Sequence, residues 1–160
     1  MLISALLSAT LVLYVASALF MLQQVFKPRS PLTIVSWVSA ILALICHGGL
    51  IYMRLASDEF DHLNVSSSLS IVAWLIALLS LFRVKQSNSL LLKPVIYLFA
   101  ALSALLLVLT PADLGAYIGF GHGLVIHIVL SLVAYGVLAL ATLYAIQASY
   151  INYLLKTKKT

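Results

Sequence analysis

Residues 123–155 read GLVIHIVLSLVAYGVLALATLYAIQASYINYLL, a run without a single Asp, Glu, Lys or Arg. A helix on the surface of a soluble domain is apolar along one stripe only, whereas this run is apolar nearly all round. It also exceeds the roughly 20 helical residues that cross a hydrocarbon core about 30 Å thick. A membrane β-strand would alternate apolar and polar residues, so the continuous Leu-rich and Ala-rich character selects helix. Working outward, residues 2–26, 32–53, 65–82 and 94–109 are also free of ionised side chains. The third and fourth of the five stretches are the shortest, and they span only with help from flanking residues or local thinning of the bilayer.

The whole chain agrees with its longest run. It has 160 residues, 64% of them hydrophobic and 8% charged, and a mean hydropathy of +1.16, which excludes an ordinary soluble domain. The expected fold is all-α, a polytopic transmembrane bundle of about five helices forming one domain over residues 1–160. Pro28 and Pro31 precede the second helix, Pro94 heads the fourth and Pro111 follows it. Proline there starts or stops helices without breaking them.

The net charge of +5 is distributed between loops rather than gathered in a patch, which argues against a nucleic-acid partner. Lys27, Arg29, Arg83, Lys85, Lys93, Lys156, Lys158 and Lys159 fall in alternate loops and the tail. The acids Asp58, Glu59, Asp61 and Asp113 fall in the others. The positive-inside rule then predicts an external N-terminus and a cytoplasmic C-terminal tail. No basic residue precedes the first apolar run and two follow it, the pattern of a retained helix rather than a cleaved signal peptide, although Ala16-Ser17-Ala18 resembles a cleavage site. Cys46, the single cysteine, excludes an internal disulfide and a Cys-x-x-Cys pair and reads as a small packing residue.

Catalytic signatures are missing. There is no P-loop, no His-Glu-x-x-His helix and no Gly-x-Ser-x-Gly elbow, and the loops are short, so an enzyme acting alone is not expected. The spans lack the acidic and basic residues that coupled transporters commonly use as relays.

The histidines are the remaining chemistry. His47 sits about six residues before the end of the second apolar run and His127 about four after the start of the fifth, so at 1.5 Å per residue both lie at similar depth below the same face. Two imidazoles at one depth on different helices suit a single ligand, and haem b is the cofactor that a greasy helical bundle with neutral imidazoles fits. Haem iron would be the metal held by His47 and His127. Arg54 lies two turns beyond His47 and is the one basic residue expected on that side, where pairing with a propionate would explain it. Each residue also has a structural reading: a buried histidine that hydrogen-bonds a neighbouring helix, and an arginine that snorkels to headgroups. His62 and His122 read as loop residues.

On the fifth helix, His127, Ser131, Ala134, Tyr135, Leu138, Thr142 and Ala145 follow the 3,4 spacing of one small, polar face, continued by Ala141 and Ser149. Such a face is expected to pack against other helices. Trp37, Tyr52, Phe82, Tyr97, Tyr150 and Tyr153, near span ends, are expected to be interfacial anchors.

Ile45-Cys46-His47 with Arg54 after it, Leu63-Asn64-Val65 followed by serines, and the segment from Leu124 through His127 to Tyr135, leading to Leu143-Tyr144-Ala145, resemble the cytochrome c assembly protein family. Within that family the chain looks most like a bacterial inner-membrane branch, the YpjD and HemX type. The resemblance runs along nearly the whole chain, and the fifth-helix segment is its most specific part. It implies haem handling at the outer face of the membrane in support of cytochrome c assembly, with His127 and His47 as counterparts of membrane histidines that serve as axial ligands. Expected partners are haem, membrane lipid and proteins of cytochrome c maturation or of a transport system. Two departures stand out. The tryptophan-rich outer segment is absent, since Trp37 and Trp74 are isolated within spans, and relatives of this branch look to continue through about three more helices. The other classes carried forward are a permease-like or accessory transport subunit, with a metal ion among its candidate cargoes, and a structural assembly scaffold.

Overall fold

The computed structural model describes residues 1–26, 32–57, 62–82, 92–111, 116–117 and 122–157. The elements in chain order are α1 Leu2–Phe26, α2 Leu32–Ala56, β1 His62–Leu63, α3 Val65–Phe82, α4 Leu92–Leu109, β2 Ala116–Tyr117 and α5 His122–Thr157. The expected all-α bundle of five helices is present. Four of its helices, α1, α2, α4 and α5, are long and apolar enough to cross a membrane. The 18 residues of α3 sit near the lower limit of about 17 for a span. The loop charges from which orientation was read, Lys27, Arg29, Asp58, Glu59, Asp61, Arg83, Lys85, Asp113, Lys158 and Lys159, lie outside the described residues, as do Pro28 and Pro31.

Helix ends differ from the apolar runs for physical reasons. The second helix continues past residue 53 to Ala56 and takes in Arg54, whose charge ends the apolar run without ending the helix. The fourth begins at Leu92, so Pro94 lies in its first turn, where its missing N–H costs no intrahelical bond. Asn64 caps α3: its Oδ1 accepts from the Ser67 N–H at 2.7 Å and from Ser66 Oγ at 2.7 Å.

Burial follows a 3,4 spacing on the inner helices. On α1 the buried seam is Thr10, Tyr14, Ser17, Met21 and Gln24, and on α2 it is Ser36, Ala40, Ala43, His47 and Leu50. With Ala73, Ala77, Ala100 and Ala104 also fully buried, the helices approach closely over small side chains, the way membrane helices associate without a hydrophobic driving force. Hydroxyls bind the α1–α2 seam further. Ser17 Oγ donates to the Ser36 carbonyl at 2.8 Å, and Gln24 Nε2 donates to Ser36 Oγ at 2.9 Å.

Contacts run chiefly between α1 and α2, α1 and α4, and α3 and α4. The fifth helix rests on α3 and barely touches α4. One end of the bundle is clasped by the antiparallel pair β1–β2, in which His62 faces Tyr117 and Leu63 faces Ala116. These two-residue strands join the loop before α3 to the loop before α5.

Candidate functional site

At the centre of the bundle, His47 is fully buried. Both of its ring nitrogens are engaged: Nδ1 lies 3.2 Å from the Tyr14 hydroxyl of α1 and Nε2 lies 2.8 Å from Ser70 Oγ of α3. A neutral imidazole has one donor and one acceptor, so one nitrogen donates to its hydroxyl while the other accepts. The Tyr14 ring meets the imidazole edge to face, with centroids 5.7 Å apart at 88°, and stacks on Tyr97 of α4 at 5.9 Å and 23°. One histidine thereby ties together three helices directly and a fourth through the aromatic stack.

The backbone beside His47 explains how α3 comes so near. A Cβ on Gly48 would lie 3.4 Å from Trp74 Nε1, and that indole donates to the Leu44 carbonyl at 2.9 Å. A Cβ there would touch the ring at ordinary contact distance. Gly49, one residue on, has nothing within 4 Å of its Cβ position.

His127 is in a contrasting place. It is exposed on α5 and has no hydrogen-bond partner among the described residues. His47 lies nine residues before the end of α2 and His127 five after the start of α5, about 13 Å and 8 Å along their helices. Extension of α2 to Ala56 thus loosens the depth match expected from the apolar runs. The structure does not bring the two imidazoles into one site, because α3 stands between them: Ser70 and Trp74 face α2, while Leu75 meets Gly136 of α5. His62 and His122 are placed by their backbones, in β1 and at the first residue of α5.

Arg54 is half-buried, and its Nη2 donates to the Thr110 carbonyl just past α4. A cation at a helix C-terminus satisfies a carbonyl left without an intrahelical donor. Asn64 Nδ2 makes a parallel contact with the Pro111 carbonyl at 3.3 Å, so α2 and the head of α3 both hold the end of α4. Arg54 is therefore a helix-end clamp in this structure, with guanidinium donors beyond the one that Thr110 occupies. Among the described residues no group of three or more His, Cys, Asp or Glu side chains is placed to hold a metal ion.

Two expectations are corrected. Tyr97, read as an interfacial anchor, is fully buried, because its stack on Tyr14 draws the ring inward; Tyr52, Tyr150 and Tyr153 are exposed as anchors should be. The small, polar face of α5 does not pack in the bundle. Ala134, Tyr135, Leu138, Ala141, Thr142 and Ala145 are all exposed. The opposite face, with Gly136 buried against Leu75 and with Ala139, Leu140 and Leu143, rests on the core. Because α5 meets α4 only slightly, an apolar groove of about 610 Å³ opens between α3, α4 and α5, with Val72, Phe99, Leu138 and Leu143 in its wall and Tyr135 and Thr142 at its α5 edge.

Tyr14 and Ser70 were missed as partners of His47, and Tyr97 as the ring that stacks on Tyr14. The signal for Tyr14 is present in the Thr10, Tyr14, Ser17 and Gln24 stripe of the first helix, since polar side chains repeated on one face of an apolar span point inward.

This chain is similar to the inner membrane protein YpjD of Escherichia coli strain K12, with 32% identity over 124 residues that cover 76% of this chain and 47% of the relative. The YpjD proteins of strains O6:H1 and O157:H7 match with the same identity and coverage. No family model matches, and no solved structure does. The chain is thus a homologue of the inner membrane protein YpjD, has four helices among its described residues long and apolar enough to cross a membrane, and spans about half the length of the curated relatives it matches.

Proposed function

We propose that this homologue of YpjD handles haem b in the inner membrane in support of cytochrome c assembly, with His127 as the imidazole first offered to the iron. The observation that carries this reading is the contrast between the histidines: His127 is exposed and without a partner among the described residues, while both nitrogens of His47 are taken. An unpartnered imidazole on an apolar membrane helix fits the donor chemistry of a haem site, and the ligand when bound supplies the iron and a greasy ring. His47 joins the ligand set in this reading only after leaving Tyr14 and Ser70. Arg54, at the same end of the bundle, keeps guanidinium donors for a propionate while holding Thr110. The alternating loop charges support an external N-terminus and a cytoplasmic C-terminus, which puts His127 toward the outer face. Proteins of cytochrome c maturation are the partners that this role requires.

Titration of haem into the purified protein tests the reading. Wild type is expected to give a saturable Soret shift that weakens in His127→Ala and vanishes in the His47→Ala, His127→Ala double variant; an unchanged shift in the double variant refutes the ligation. A second reading is favoured by the paired nitrogens of His47: a permease-like or accessory transport subunit, or an assembly scaffold, in which that histidine only joins helices. A stable complex with a cytoplasmic ATPase and no haem uptake would select it.

A further inference from the structure

We propose that the head of α4 is a phosphate-binding site built around Lys93, and that its ligand is the headgroup of an anionic phospholipid. Lys93 is the second residue of α4 and is only 5% exposed. It does not lie on the outer side of the helix, where a lysine would run along lipid to reach water. With Ile96, Tyr97, Ala100, Ala104 and Leu107 it forms the buried 3,4 seam of α4, the helix that packs chiefly on α1 and α3. No described residue gives its ammonium a hydrogen bond or an ion pair.

A buried ammonium without a counter-charge is strongly unfavourable, so Lys93 calls for an anion. The carboxylate side chains of this chain are out of reach. Its four acids are Asp58, Glu59, Asp61 and Asp113. The first three follow the end of α2 and the last follows the end of α4, two ends that the β1–β2 pair and the Arg54 contact with Thr110 hold together. At 1.5 Å per residue that end is about 27 Å along α4 from its head, while the four residues from Leu109 to Asp113 extend by at most about 14 Å. At the end of the bundle where Lys93 lies, residues 27–31 and 83–91 add Lys27, Arg29, Arg83 and Lys85 and no acid.

The backbone presents the same sign of charge. The first N–H groups of α4 have no intrahelical acceptor, and the positive end of the helix dipole lies there. Leu91, the residue before the helix, has no side-chain acceptor to cap them. A phosphate satisfies the ammonium and the free N–H groups together. Depth selects lipid as the source of that phosphate. The 18 residues of α4 make it about 27 Å long, close to the thickness of the hydrocarbon core, so its head lies at the level of the headgroups. Basic pockets between helices at that level take anionic headgroups. This inference is independent of haem binding.

Native mass spectrometry of the full chain in micelles, with phosphatidylglycerol, phosphatidylcholine or inorganic phosphate added, tests it. Wild type is expected to retain phosphatidylglycerol with a preference of about tenfold or more over phosphatidylcholine. Lys93→Gln should weaken that retention by about tenfold or more, the loss of a charge-assisted hydrogen bond, and Lys93→Arg should restore it. Lys156→Gln, at an exposed position in the last turn of α5, should leave it unchanged. In wild type, phosphatidylglycerol should also slow acylation of Lys93 but not of Lys156, a readout that needs no substitution. Equal retention of the two lipids overturns the proposal, as does phosphatidylglycerol held as tightly by Lys93→Gln as by wild type. Acylation of Lys93 that the lipid leaves unchanged, or displacement of the lipid by an equal concentration of inorganic phosphate, overturns it too.

Discussion

Tyr14→Phe removes one oxygen from the centre of the bundle and leaves the ring in place, so its consequences follow closely from the geometry. The phenyl ring keeps its stack on Tyr97 and its edge contact with His47. What is lost is the 3.2 Å hydrogen bond to Nδ1, and interhelical hydrogen bonds in membrane proteins contribute about 0.6 to 2 kcal/mol. The 3.2 Å separation is long for a bond of this type, which favours the lower half of that range, about 1 kcal/mol. His47→Ala removes both bonds and a side chain that is fully buried, and large-to-small changes in packed interiors cost about 2 to 5 kcal/mol. The informative quantity is their coupling. With alanine at 47 the Tyr14 hydroxyl has no imidazole to bind, so Tyr14→Phe should then cost close to nothing or be slightly stabilising. Equilibrium unfolding of the four proteins by SDS titration in mixed micelles, followed by circular dichroism, gives the cycle directly. A coupling energy of about 1 kcal/mol is expected. Equal cost for Tyr14→Phe in both backgrounds would refute the hydrogen bond as a link between α1 and α2.

Adjacent glycines should behave alike in stability. Gly48→Ala puts a methyl in ordinary contact with the Trp74 ring, 3.4 Å from Nε1, and should be stabilising by up to about 1 kcal/mol through helix propensity. Gly49→Ala meets nothing and should be neutral or stabilising by up to about 1 kcal/mol; the same unfolding titration reads both, and tryptophan emission should shift only for Gly48→Ala. Asn64→Ala deletes the α3 cap and the contact with Pro111, and should cost about 1 kcal/mol, with amide exchange accelerated in the first turn of α3 before any other helix.

The helices were legible because charge is so sparse: each of the five stretches free of ionised residues lies within a helix, and four of those helices are long and apolar enough to cross a membrane. Arg54 shows the limit of that reading, since a charge can close an apolar run while the helix carries it on to reach Thr110. Burial of His47 was legible as one of two readings, but its partners were not, because Tyr14 and Ser70 reach it only once the rotation and neighbour order of α1, α2 and α3 are fixed. The fifth helix was misread for a related reason. Its small, polar face looked like a packing face, yet the opposite side, with Gly136 beside Leu75 and with Ala139, Leu140 and Leu143 against the core, is the one that packs. Spacing identifies which residues share a face, and only the neighbouring helix decides which face is covered.

Among all these measurements, the absorbance spectrum of the protein as purified from membranes bears most directly on the proposed haem role. Wild type is predicted to carry a Soret band, with pyridine haemochrome features of haem b, and His127→Ala to lose most of it while keeping its helicity. A colourless wild-type protein that takes up no added haem, or an identical band in His127→Ala, would contradict the account.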